Sequence, residues 1–202
     1  RPVMAPPPGG DDPYLSSMDF SDYEVTYTPG VYDLPVQRNE GGGAYNLTYT
    51  DDGIFPVMLG DRAFPFFGVP YSEIFLSSNG YVVFADIETL YTGADLIATL
   101  DMPTLAAHFA LPRISFMFTD LAPHIGGEVW AKIMDDRFVV TLDNVAVKPG
   151  AYEYVLNPDR VTAQMELFYS GHIRITYLGA GLSTGIIGLS DGRGVPEEPS
   201  TV

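Results

Sequence analysis

An Asn-Gly dipeptide between two apolar runs is the feature that most constrains the fold of this chain. Ser78-Asn79-Gly80 lies between Ile74-Phe75-Leu76 and Tyr81-Val82-Val83-Phe84. Asn-Gly is favoured in tight hairpin turns because these turns need positive φ angles, and the flanking runs are rich in residues that strands prefer. The stretch therefore predicts an antiparallel hairpin with its turn at residues 78–80.

Most of the remaining chain also has the character of strands joined by turns. The strand candidates are residues 23–27, 44–50, 113–118, 128–134, 137–143, 160–169, 172–177 and 184–190. Two more hairpins are expected, around Asp135-Asp136 and around Ser170-Gly171. Residues 113–118 and 184–190 are apolar enough for buried strands, and the alternation in 160–177 predicts one face inward and one in water.

Helix is expected to be scarce in this chain. Residues 86–111 form the longest connection, and only 95–100 and 104–110 have some helical character. Pro65 and Pro70 exclude a central strand through 64–70, so the aromatic residues there are expected to plug the core. The pattern predicts an all-β protein, an antiparallel, jelly-roll-like β-sandwich of about nine to eleven strands.

The Pro-rich and acidic ends differ in composition from the middle of the chain. Residues 1–22 read as a Pro/Gly/Asp-rich linker or N-terminal extension and residues 195–202 as a Pro/Glu-rich linker. Residues 23–194 are then expected to form one domain, since 202 residues suit a single sandwich. The two linkers predict neighbouring domains in a larger parent chain.

Charge and composition narrow the range of partners. The chain has 26 acidic and 10 basic residues, a net charge of −16, and no cysteine. A polyanion would be repelled, so nucleic acid is not expected as a partner. Thiolate chemistry and disulfides are excluded, and no apolar run is long enough to predict membrane insertion.

The acidic turns make calcium the first candidate cofactor. Calcium prefers six to eight oxygen ligands, which loops commonly supply. Asp51-Asp52-Gly53 is a predicted turn and Asp120 ends a predicted buried strand, so Asp51, Asp52 and Asp120 are the candidate metal ligands. Asp135-Asp136 is more simply a hairpin turn, and the spacing of an EF-hand loop is absent.

Two other functions compete with this interpretation. A carbohydrate-binding module would use exposed tyrosines, for which Tyr14, Tyr23, Tyr91 and Tyr152 are placed peripherally, whereas Trp130 is assigned to the core. A glycoside hydrolase, or another hydrolase, would need two facing carboxylates. The candidates by position are Glu128, Asp143, Glu153 and Glu166. Zinc spacing among the three histidines and a nucleophilic serine motif are absent from the sequence.

Several short motifs resemble nidogen-like extracellular β-sandwich domains and related modules of bacterial secreted or surface proteins. They run in order over about residues 64–194: Phe66-Phe67-Gly68, Ser78-Asn79-Gly80-Tyr81, Leu111-Pro112-Arg113-Ile114, Thr119-Asp120-Leu121, Gly126-Gly127-Glu128-Val129 and Gly185-Ile186-Ile187-Gly188. The usual pattern has two acidic residues after Phe118, and here Thr119 replaces the first. The resemblance implies a non-catalytic interaction or adhesion module at the cell surface, with a protein or glycan partner and no catalytic residues to carry over.

Overall fold

A computed structural model gives the fold. It describes residues 23–40, 44–47, 51–85, 102–148, 158–180 and 185–197. The strands, in chain order, are β1 (Tyr45–Asn46), β2 (Ile54–Met58), β3 (Phe64–Phe66), β4 (Val69–Tyr71), β5 (Glu73–Ser77), β6 (Tyr81–Val83), β7 (Pro112–Phe118), β8 (Glu128–Ile133), β9 (Arg137–Ala146), β10 (Arg160–Phe168), β11 (Ile173–Ala180) and β12 (Ile186–Asp191). One short helix, α1 (Leu105–Phe109), precedes β7.

Two five-stranded antiparallel sheets form the body of the protein. Sheet A has the order β1-β8-β9-β10-β11, sheet B has the order β12-β7-β6-β5-β2, and β3 and β4 form a separate two-stranded hairpin. The predicted all-β sandwich is confirmed. The three predicted hairpins are present as β5–β6, β8–β9 and β10–β11.

The Asn-Gly turn is held tightly against the neighbouring strand β7. Gly80 has a φ of 78°, and its carbonyl accepts hydrogen bonds from the backbone N–H groups of Phe116 and Met117. A Cβ atom at this position would lie 2.2 Å from the carbonyl oxygen of Met117. Glycine is therefore required here both by the backbone angle and by the close approach of two chain segments.

The main core lies between the two sheets. Sheet B contributes Leu76, Val82, Ile114 and Phe116 among others, and sheet A contributes residues that include Val140. Phe64 and Phe66 of β3 are buried in the same core and stack on Phe84 at ring-centroid distances of 5.7 and 4.4 Å. Burial of this much apolar surface is the main stabilising term of such a sandwich.

The prediction that residues 160–177 expose one face to water holds for His172 and Arg174, which are exposed, but is wrong for most of the rest of that face. Gln164, Glu166 and Thr176 point away from the main core and are nevertheless buried. Residues 34–40, which we call the strap, cover part of this outer face of sheet A, and Val36 packs there against Trp130 and Val139. Trp130 is buried as predicted, but it lies beneath the strap instead of between the sheets.

Several element boundaries also differ from the sequence-based expectations. Residues 23–27 are irregular and form no strand, because Tyr23 instead packs its ring on Phe67, with centroids 5.2 Å apart. Only Tyr45–Asn46 of the predicted 44–50 strand is regular within the described residues. β12 is an edge strand with Ile187 45% exposed, so it is less buried than predicted.

The helix is shorter than the weak signal over residues 104–110 suggested. Thr104 caps its N-terminus by accepting a hydrogen bond from the Ala107 backbone N–H through its hydroxyl group. The other helical candidate, residues 95–100, lies outside the described residues, as do the predicted linker 1–22 and residues 198–202. Among the residues that are described, no helix combines the length and apolarity needed to cross a bilayer.

Candidate functional site

The three aspartates predicted as metal ligands meet at one point on the surface. We call Asp51, Asp52 and Asp120 the acidic triad. One carboxylate oxygen from each lies within 4.8 Å of the others. The side chains of Asp51, Asp52 and Asp120 are 34%, 50% and 46% exposed, so the triad is open to solvent. That these residues bind a metal stays a prediction.

Strand pairing in sheet B brings the triad together. β2 follows Asp51 and Asp52 directly, and its first residue, Ile54, pairs with Ser77 beside the hairpin turn. Asp120 follows β7, whose end is bonded to the same turn through Thr119 N–H and the carbonyl of Asn79. The Asn-Gly turn is therefore the structural centre of the site.

Asn79 connects the two halves of the triad. Its side chain is buried. The Nδ2 group donates to Asp52 Oδ1 at 2.9 Å, and Oδ1 accepts from the backbone N–H of Leu121, also at 2.9 Å. A further pair of hydrogen bonds joins Ser78 and Gly53. These contacts fix the two acidic loops relative to each other before any ligand is bound.

A lysine ammonium already lies among the three carboxylates. Lys148 Nζ is 3.3 Å from Asp51 Oδ2, 3.7 Å from Asp120 Oδ1 and 4.0 Å from Asp52 Oδ2. The bridge between Leu121 and Val147 and the hydrogen bond from Lys148 N–H to the Asp120 carbonyl place it there. His124 lies at the edge of the site, with Nδ1 3.8 Å from Asp51 Oδ1.

One ammonium does not neutralise three carboxylates. Burial raises the pKa of Asp120, and the charges of Asp52 and Asp51 add to this rise while Lys148 opposes it. Burial also lowers the pKa of Lys148, but the carboxylates outweigh it and the net shift is upward. An ordinary ion pair would lower the pKa of its acid. The raised pKa of Asp120 therefore reflects its burial first, and the neighbouring charges of Asp52 and Asp51 add to the rise.

Sequence reasoning found the aspartates but missed Lys148 and Asn79 as members of the site. Asp51-Asp52-Gly53 and Asp120 could be read as loop carboxylates from local sequence alone. Lys148 is brought in by the Leu121–Val147 bridge, which no local pattern encodes. Asn79 was recognised as a turn residue, and the apolar runs around it offered a signal that the turn would be buried.

Two of the four carboxylates considered for a hydrolase, Glu128 and Glu166, form ion pairs. Glu128 is paired with Arg38. Glu166 is fully buried and accepts from Arg137 Nη1 at 2.7 Å and from Arg174 Nη2 at 2.6 Å, which corrects its expected solvated position. Asp143 lies opposite Glu128 in the β8–β9 register. Glu153 lies outside the described residues.

The histidines are spread over three environments. His108 belongs to α1 and is buried, with Nδ1 2.8 Å from the hydroxyl oxygen of buried Ser115, whereas His172 is exposed in the turn between β10 and β11. Burial and the neighbouring Arg113 charge lower the pKa of His108 to about 4, against the opposing effect of its hydrogen bond to the Leu189 backbone. The His108–Ser115 pair is a neutral, buried structural contact at pH 7.

The predicted peripheral tyrosines have mixed outcomes. Tyr23 packs on Phe67 and is half-buried, while Tyr14, Tyr91 and Tyr152 lie outside the described residues. Three tyrosines not singled out from the sequence are well exposed: Tyr27 at 60%, Tyr32 at 87% and Tyr45 at 60%. All three belong to the first described part of the chain, before β2.

Comparison with known proteins gives no family assignment. Searches with protein-family models, with curated proteins and with solved structures each found no significant match. The acidic triad and its lysine therefore have to be interpreted from their own geometry, and the nidogen-like resemblance stays a prediction.

Proposed function

We propose that this chain is a non-catalytic extracellular interaction module of a larger secreted or cell-surface protein, and that the acidic triad binds a calcium ion. The observation that carries the proposal is the meeting of Asp51, Asp52 and Asp120 within 4.8 Å of one another on preorganised loops. Carboxylate oxygens supplied by loops are the ligands that calcium prefers. The expected partner is a protein or a glycan at the cell surface, since a charge of −16 disfavours nucleic acid.

Calcium binding would require Lys148 to move. Its ammonium lies between the carboxylates, where a divalent cation would have to bind. Lysine has a long flexible side chain, and this one is 23% exposed, so it can turn outward into solvent. Three carboxylates then supply up to six oxygens, and water completes the coordination shell. Competition with lysine favours a weak site, of the ~10⁻⁴–10⁻³ M class found in extracellular modules.

The proposed ion would join two separate chain segments. The triad lies on the loop before β2 and the loop after β7, and Lys148 follows β9 of the opposite sheet. A calcium ion on these loops would fix one end of the sandwich and leave its exposed side available for contact with a partner. The proposal thus makes the ion a structural element of an interaction surface.

Thermal unfolding tests the calcium site. For a dissociation constant of ~10⁻⁴ M, calcium at about 10 mM adds about 2.7 kcal/mol to the free energy of unfolding. In a domain of this size that free energy raises Tm by about 5–10 °C. The measurement compares EDTA, calcium, and magnesium at matched ionic strength.

The matched variant is Asp120→Asn, which keeps the shape of the side chain and removes its charge. It should raise Tm in EDTA, because the repulsion among the carboxylates falls, and it should reduce the calcium-dependent rise. An equal rise with magnesium and calcium in the wild type would show general screening of the acidic surface. That result would contradict the proposed site.

The exposed tyrosines favour a second candidate, a carbohydrate-binding module. Tyr27, Tyr32 and Tyr45 offer apolar rings with polar tips, which suit stacking on sugar rings. Binding to a panel of immobilised glycans, compared between the wild type and Tyr32→Ala, tests this function. Loss of glycan retention in the variant, with an unchanged Tm, would support it; glycan binding in neither protein would count against it.

A further inference from the structure

The strap packs on the outer face of sheet A through one buried side chain and several hydrogen bonds. Val36, with 3% exposure, is the one fully buried residue of the strap, while Pro35, Gln37, Asn39 and Glu40 are exposed. Val36 packs against Trp130 and Val139. A single apolar anchor with exposed neighbours on both sides is typical of a bound peptide, and differs from a strand that is integral to the core.

Most polar contacts to the strap are made with its backbone. The Gln164 side chain accepts from Val36 N–H at 2.9 Å and donates to the Val36 carbonyl at 2.8 Å. Lys132 Nζ donates to the Gln37 carbonyl at 2.8 Å and also to the Glu40 carbonyl. Gln164 thus supplies the same donor and acceptor pair that a neighbouring β-strand would offer to an extended residue.

The receptor side of this contact is preorganised. Gln164 Nε2 also donates to the Thr141 hydroxyl group at 2.8 Å, which orients the amide toward the strap. Gln164 and Lys132 are buried beneath the strap. If the strap left, Lys132 would lose its hydrogen bonds to the Gln37 and Glu40 carbonyls and Gln164 would keep only its bond to Thr141, so the surface favours refilling by a segment that presents the same backbone groups.

We propose that this surface also binds residues 34–40 of a second copy of the chain, in exchange for the strap in place here. The occupant is argued from the structure itself, because this segment already satisfies Gln164, Lys132 and the Trp130–Val139 contact. Eight residue steps separate the anchor Val36 from Ala44, so Val36 can lie at most about 28 Å from its own sheet. The second copy must therefore lie close against sheet A, and reciprocal exchange gives a two-fold symmetric dimer.

This inference rests on the proposed role as an interaction module and specifies one partner. It shares no residue with the acidic triad, and its test runs equally in EDTA and in calcium. A failure of strap exchange therefore leaves the calcium proposal standing, and the absence of calcium binding leaves strap exchange standing.

Trp130 reports directly on occupancy of the surface, because it is the only tryptophan in the chain and it contacts Val36. In the full chain carrying Val36→Asp, the emission of Trp130 is expected to shift to longer wavelength as the strap detaches. A synthetic peptide with the sequence of residues 31–40 should reverse this shift in a saturable way. The same peptide with aspartate in place of valine is the control and should bind at least about tenfold more weakly.

Mixing two variants tests whether the strap of a second copy of the chain binds to this surface. The Val36→Asp chain has a strap that cannot bind, but its surface on sheet A is intact. The Gln164→Leu chain has an intact strap, but its surface binds a strap weakly. Their mixture should form a dimer in native mass spectrometry that neither chain forms alone. If Gln164→Leu does not fold, Lys132→Met is used as the variant with the weakened surface. If Val36→Asp does not fold, Val36→Ala is used as the variant with the weakened strap.

The peptide titration and the mixing experiment together test strap exchange. Saturable peptide binding together with the mixed dimer supports it. Folded Val36 variants that bind no peptide up to millimolar concentration would overturn it, as would a mixture that stays monomeric.

Discussion

Asn79 and Gly80 form the turn between β5 and β6, next to the acidic triad. Asn79 holds the acidic loops together through Asp52 and Leu121. Gly80 allows β7 to approach the turn, with the position of a Cβ atom only 2.2 Å from the Met117 carbonyl oxygen. The same two residues thus fix the hairpin of sheet B and the position of the candidate site.

Gly80→Ala is expected to be strongly destabilising. The substitution places an L residue at a φ of 78° and forces β7 away from the turn. Gly68 has the same φ of 78° and open space around it, so Gly68→Ala is the matched control for the backbone cost alone. Urea unfolding should show a loss of ~1 kcal/mol for Gly68→Ala and about 3 kcal/mol or more for Gly80→Ala. Equal losses would mean that the close approach to β7 contributes nothing.

His108 should make stability dependent on pH in the acid range. Its pKa in the folded state is about 4, whereas an unfolded histidine titrates near ~6.5. The unfolded state therefore binds the proton first, and stability that is fully present above about pH 6.5 is lost as the pH falls toward 4. The loss reaches up to about 3 kcal/mol for this one group.

Urea unfolding at pH 7, 5.5 and 4.5 checks this prediction in the wild type and in His108→Gln. The variant should be less stable at pH 7 but should lose less stability on acidification, because it has no imidazole to protonate. Parallel pH profiles of the two proteins would show that His108 is not the titrating group.

At the scale of elements, an ion-pair ladder joins three strands of sheet A. Arg137 on β9 and Arg174 on β11 both bond to buried Glu166 on β10, and both guanidinium groups lie over the Phe168 ring at 4.2 and 5.5 Å. These ion pairs lie on a face that the alternation of polar and apolar residues alone would predict to be exposed to water. The two arginines supply hydrogen-bond donors to both carboxylate oxygens of Glu166, which offset the cost of burying this side chain.

Glu166→Gln should destabilise the protein by about 2–3 kcal/mol, because it removes the negative charge that the two arginines share and replaces one acceptor oxygen with an NH₂ donor. This expected loss of stability is smaller than the loss on breaking a fully buried ion pair, because Arg137 and Arg174 are 21% and 42% exposed and can be hydrated. Arg174→Ala, which removes the more exposed partner, should cost less. A neutral effect of Glu166→Gln in urea unfolding would show that the ladder is not stabilising.

Local sequence predicted the strands and hairpins well, but it failed where distant segments cover a surface. The Asn-Gly turn and the apolar run of β7 depend on neighbouring residues, and both were found. Burial of Gln164 depends on Val36, which is 128 positions away, so period-2 alternation placed it in water. The triad could be predicted because each aspartate marks the end of a strand, whereas the Lys148 contact depends on pairing across the two sheets.

At the scale of the whole molecule, acidic residues outnumber basic ones, and three of them meet at the candidate site. The chain has 26 acidic and 10 basic residues, and the triad gathers three carboxylates around one lysine. Its preorganised loops, its exposure and its charge excess are the properties expected of a weak divalent-cation site. The account of the protein as a calcium-dependent interaction module depends on this site.

Isothermal titration of the chain with calcium, compared with magnesium, tests that central claim most directly. We predict one calcium ion per chain, a dissociation constant of ~10⁻⁴–10⁻³ M, and much weaker binding of magnesium. Lys148→Met should bind calcium more tightly than the wild type because the competing ammonium is gone, and Asp120→Asn should bind it more weakly. If calcium produces no binding heat with the wild type or with Lys148→Met at any of several temperatures, the acidic triad is not a calcium site.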